Sequence, residues 1–150
     1  MGDINNDGWF DLLTTEIVHW DVGGSSDRSE LLLNSGQDLY FERPGAEVTG
    51  VQWEHNLVDW NDGDITAAVF DADNDSLPDL YIGSTDYPDT RGHLFLQSEA
   101  SVFEELPIEL GIDHKRSHGV AVADFDRDGD LDVVVGHSSG RCGGECYDSF

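Results

Sequence analysis

Basic residues are scarce: seven Lys and Arg stand against 32 Asp and Glu in 150 residues, a formal net charge of -25 at pH 7. A chain so acidic repels phosphate backbones and anionic lipid headgroups, so neither nucleic acid nor a membrane surface is an expected partner. Long apolar runs are also missing. No stretch approaches the roughly 20 residues that span a bilayer as a helix, so no membrane insertion is expected. The opening MGDINNDGWF has neither the basic nor the apolar region of a signal peptide, so the chain itself is expected to be soluble, and because it reads as the middle of a motif the missing signal says little about a parent protein. Cysteine is limited to Cys142 and Cys146, in RCGGECY. The two glycines between them permit a small disulfide in an oxidising compartment. Free thiols are the alternative, and zinc would need ligands beyond His137.

Against these absences, the hydrophobic content is 38%, with four Trp, four Tyr and seven Phe. That is more apolar surface than an acidic disordered tail carries, and the length suits one domain with a core.

Three segments align without gaps: DINNDGWFDLL from Asp3, DADNDSLPDLYIG from Asp71 and DFDRDGDLDVVVG from Asp124. Numbering each loop from its first Asp, positions 1, 3, 5 and 9 carry side-chain oxygens: Asp3, Asn5, Asp7 and Asp11; Asp71, Asp73, Asp75 and Asp79; Asp124, Asp126, Asp128 and Asp132. A hard cation such as calcium takes six to eight oxygens at roughly 2.3–2.6 Å, and a coiled loop delivers them from alternate residues. The backbone carbonyl at position 7, from Trp9, Leu77 or Asp130, is a further candidate ligand. Up to three calcium ions are therefore expected. Position 6 must turn sharply, which suits Gly8 and Gly129, whereas Ser76 would be strained by about 1 kcal/mol or more in a left-handed conformation. Loop three is accordingly expected to be the surest site and loop two the weakest.

An EF-hand would need Glu at position 12 and flanking helices. Here position 12 is Thr14, Ile82 or Val135, and the flanks VAVADF, DVVVGH and DLYIGS read as strands. Asp, Asn and Gly are also ordinary turn residues, but a turn needs only one or two of them. Four oxygen-bearing side chains at fixed spacing, three times over, would repel one another without a cation.

These loops, each of the last two followed by a β-run ending in Gly83 or Gly136, resemble FG-GAP/VCBS repeats. HGVAVADFDRDGDLDVVVG is the best match, and SELLLNSGQDLYFERPG and GHLFLQSEASVFEELPIELGI resemble the family's return hairpins. More narrowly, the pattern is similar to the cartilage-acidic-protein-like secreted proteins whose repeats often precede an ASPIC/UnbV domain. The resemblance implies an all-β fold, β-propeller blades with structural calcium, and an extracellular, cell-surface or periplasmic setting. The loops lie 68 and 53 residues apart, from Asp3 to Asp71 and from Asp71 to Asp124, which brackets one four-stranded blade per repeat. About two and a half blades are expected, in partial units around 1–55, 56–110 and 111–150. This is too few to close a ring, so further blades or other chains are expected to cover open strand edges.

A fourth acidic cluster, Asp59, Asn61, Asp62 and Asp64, does not fit the spacing and reads as a turn into ITAAVF, with Asp62 or Asp64 able to approach the second loop from outside. The six histidines fall in no HExxH or nucleophile pattern. His19, His118 and His137 read as surface or blade-rim residues, as does Trp20, and no catalysis is expected. A rim of Trp53, Trp60 and Tyr87 is a candidate for a sugar or peptide ligand. The function expected is a calcium-binding scaffold for binding or cell adhesion, with a protein or carbohydrate ligand. The alternatives are a scaffold piece of a secreted carbohydrate-active enzyme and an acidic subunit of a cell-surface assembly.

Overall fold

The structure, a computed structural model, describes residues 1–15, 29–38, 40–52, 64–84, 91–107 and 117–137. The expectations placed on Cys142 and Cys146, on Trp53, Trp60 and Tyr87, on Asp59, Asn61 and Asp62, and on His19 and Trp20 lie outside these residues.

Strands β1 (Leu12–Thr14), β2 (Glu30–Asn34) and β3 (Phe41–Glu42) form one antiparallel sheet in chain order. Ahead of β1, Gly2 and Asp11 exchange backbone hydrogen bonds of 3.2 and 2.7 Å, a bridge that closes the first loop at its base. One helical turn, α1 (Ala46–Thr49), follows β3 between Gly45 and Gly50, both at positive φ. Nothing in the strand pattern of these residues marks it. Strands β4 (Asp64–Phe70), β5 (Asp79–Ser84), β6 (His93–Glu99) and β7 (Val102–Glu105) form a four-stranded antiparallel meander, and β8 (Ser117–Ala123) pairs with β9 (Asp132–His137). The expected strands around loops two and three are all present.

Burial follows from side-chain period. In β6, His93, Phe95 and Gln97 alternate inward, whereas every residue of β5 is buried, so that DLYIGS reads as a run rather than an alternation. Both β4 and β8 shift register seven residues before their loops, at Asp64/Thr66 and at Ser117/Gly119. The bulge is thus shared by the second and third repeats.

The core lies between the first two sheets. Ile4 and Leu31 meet Leu80, Ile82, Phe95 and Phe103, with Val51 among them and Leu13 and Val69 packed alongside. The second and third sheets meet differently. Strand β8 lies beside β4 and β5, and the Ser84 N–H donates to Ser117 Oγ at 2.9 Å. A Cβ at Gly83 would overlap the Ser117 carbonyl and the Thr66 side chain, so this close approach requires glycine there.

Candidate metal centres

Loops two and three each join two antiparallel strands of one sheet, loop one is closed by the Gly2–Asp11 bridge ahead of β1, and the same hydrogen bonds recur in all three. The N–H of position 5 donates to both the position 1 and position 3 side chains: Asp7 to Asp3 and Asn5 (2.9 and 3.1 Å), Asp75 to Asp71 and Asp73 (3.1 and 3.2 Å), Asp128 to Asp124 and Asp126 (both 3.1 Å). The N–H of position 6 donates to the other carboxylate oxygen of position 1, from Gly8, Ser76 and Gly129 at 2.9, 2.9 and 3.2 Å. The N–H of position 7 returns to position 5, from Trp9, Leu77 and Asp130 at 2.9, 2.8 and 3.0 Å. The side chains are therefore held in a coil by the backbone they decorate. Each ionised carboxylate oxygen accepting one N–H keeps lone-pair capacity for a cation.

Position 9 has a second task. Asp11 and Asp79 are fully buried, and one oxygen of each takes the N–H of position 2, from Ile4 at 2.8 Å and Ala72 at 2.6 Å. Their other oxygens take the N–H of Asn34 in β2 and of Gln97 in β6, both at 2.8 Å. Asp132 makes the first of these bonds, with Phe125 at 2.8 Å. Asn34 and Gln97 answer with their side-chain amides on the position 8 carbonyls, Phe10 at 3.3 Å and Pro78 at 2.7 Å. Burial pushes the Asp79 carboxyl above the usual range, as do the Asp73 and Asp75 charges, against the opposing pull of the Gln97 and Ala72 N–H groups.

Asp71, Asp73 and Asp79 present one oxygen each, all within 4.8 Å of one another, as do Asp124, Asp126 and Asp128. Both are all-oxygen donor sets, the chemistry a hard divalent cation takes, so the residues present fit calcium. In loop one the Asn5 amide instead donates to Asp7 at 3.0 Å. The geometry does not set loop three above loop two: loop two brings its buried position 9 into the cluster, whereas all three acids of the loop three cluster are exposed. Asp64 is corrected as a second-site neighbour. It sits at the far end of β4 from Asp71, about 20 Å of strand away, where it is buried and accepts from Ser29 Oγ.

Position 4 escaped the sequence reading. Asn6, Asn74 and Arg127 all have positive φ (57°, 62° and 67°), as do Gly8, Ser76 and Gly129 at position 6 (90°, 72° and 103°). Asn at two of the three position 4 sites was the available signal, since Asn tolerates this conformation. These side chains also connect the loops: Asn6 Nδ2 donates to the Ser76 carbonyl at 3.4 Å and Asn74 Nδ2 to Asp130 Oδ1 at 2.8 Å.

Residues 71–135 match the family model described as an FG-GAP-like repeat. The match begins at position 1 of loop two and ends in β9 beyond loop three, and it supports the FG-GAP family for this part of the chain. No curated protein and no solved structure matches the chain.

Proposed function

We propose that this chain is a non-enzymatic, calcium-stabilised segment of an extracytoplasmic β-propeller that serves as a binding or adhesion scaffold, its repeats running around 1–55, 56–110 and 111–150. The supporting observation is the hydrogen-bond pattern shared by the three loops, which brings the side-chain oxygens of positions 1 and 3 together on the position 5 N–H each time, beside the carboxylate clusters of Asp71, Asp73 and Asp79 and of Asp124, Asp126 and Asp128. Calcium cancels repulsion among these groups and ties together the two ends of each loop. Trp9, Leu77 and Asp130 add backbone carbonyls in this reading. Three ions would bring the net charge from -25 to about -19, still strongly acidic. The ligand is a protein or a carbohydrate rather than nucleic acid, and further blades or other chains cover the open edges. The narrower likeness to the cartilage-acidic-protein-like group rests on the sequence pattern alone.

Calorimetric titration of the chelator-treated protein with calcium, paired with thermal melting, tests this reading. Binding is expected, with a raised melting temperature, because calcium at 100 times its Kd stabilises by about 2.7 kcal/mol per site. If calcium produces neither heat nor a shift in melting, the proposal fails.

A further inference from the structure

We infer that loops two and three are energetically coupled through Asn74, so that a cation bound in one raises the affinity of the other. This rests on the calcium reading above and concerns a residue outside the candidate ligands. Asn74 sits between Asp73 and Asp75, positions 3 and 5 of its loop, and a cation that draws these two together fixes the backbone that aims the Asn74 amide. That amide donates to Asp130 Oδ1 at 2.8 Å. Asp130 is position 7 of the next loop, where the backbone carbonyl is a candidate ligand and the N–H is already tied to Asp128 at 3.0 Å. Both ends of one hydrogen bond therefore belong to residues that a cation would immobilise. The ordering cost met at one loop is partly met for the other, and linkage makes the effect reciprocal. The junction between loops one and two uses the same position 4 amide but reaches the Ser76 carbonyl at 3.4 Å, a longer and weaker bond. Coupling is thus graded along the chain, strongest between the second and third repeats.

Calcium titrations of the full chain followed by backbone amide resonances separate the sites, with Gly8, Ser76 and Gly129 reporting loops one, two and three. Asn74→Gly removes the amide while keeping positive φ accessible. It is expected to raise the calcium midpoint at Gly129 roughly three- to tenfold, the range one hydrogen bond supports, and to leave Gly8 within about twofold. Asp130→Ala keeps the backbone carbonyl and should weaken loop two, read at Ser76. The double variant should be no weaker at Ser76 than Asp130→Ala alone. If all three loops bind calcium but Gly129 is unmoved by Asn74→Gly, or the two substitutions add fully at Ser76, the coupling is overturned. If no amide responds to calcium in the unsubstituted protein, the calcium reading itself fails and the coupling falls with it.

Discussion

Two residues of each loop turn through the left-handed region, and the three copies meet that demand with different side chains. Position 6 is Gly in the first and third loops but Ser76, at φ 72°, in the second. A Cβ in this conformation costs on the order of 1 kcal/mol. Ser76→Gly is therefore expected to stabilise the calcium-free protein by about that amount, raising its melting temperature by roughly 2–4 °C for a domain of this size. The Ser76 carbonyl, which accepts from Asn6, survives the change. Scanning calorimetry in chelator provides the check, and an unchanged or lower melting temperature would contradict the strain argument.

At the level of strands and loops, the position 9 carboxylate decides whether a loop is held to its sheet. Asp79 joins the N–H groups of Ala72 and Gln97, one inside the loop and one a strand further on, and it is buried. Asp79→Asn would set an amide donor against one of these N–H groups. The expected cost is on the order of 2–3 kcal/mol, present even in chelator, because buried donors are left unpaired. Asp75→Asn, at an exposed position that keeps an acceptor for Leu77, should be near neutral in chelator and reveal its cost only with calcium. Denaturant unfolding of the two variants, with and without chelator, separates the structural from the ionic role. Between β6 and β7 a different tie operates, with Glu105 receiving Arg91 at 2.6 Å and His93 at 2.7 Å. Burial raises the Glu105 carboxyl, but the hydrogen bond and charge of His93, then of Arg91, outweigh it and hold the group below its ordinary range.

For the molecule as a whole, burial is uneven. Ile4, at position 2 of loop one, is fully buried, and its carbonyl accepts from the Gln97 amide of the second sheet at 3.0 Å. Its counterpart Phe125 in loop three is 56% exposed, and Leu131 and Val134 are exposed as well, so among the described residues the third repeat adds no side chain to the hydrophobic core. Charge acts at the same scale. With a net charge of -25 the calcium-free fold is strained by self-repulsion, and added salt shortens the screening length from about 10 Å at 0.1 M to about 3 Å at 1 M. Sodium chloride should raise the melting temperature of the chelated protein markedly and of the calcium-loaded protein much less. Equal salt responses in the two states would show that the loops are not where the repulsion is concentrated.

The amino-acid sequence by itself determined the three loops, their oxygen-bearing positions and the strands around them. These are local facts: an alternating acidic loop and a β-branched run each announce themselves within a dozen residues. It also marked Ser76 as the misfit in the second loop. Tertiary structure alone decided that Asp11 and Asp79 are buried staples to strands 23 and 18 residues away, that Gly83 is required by the approach of β8, and that Asn6 and Asn74 join successive loops. Each of these depends on which strands become neighbours. That is set by burial of the apolar faces of whole sheets, so no spacing within a single loop carries it.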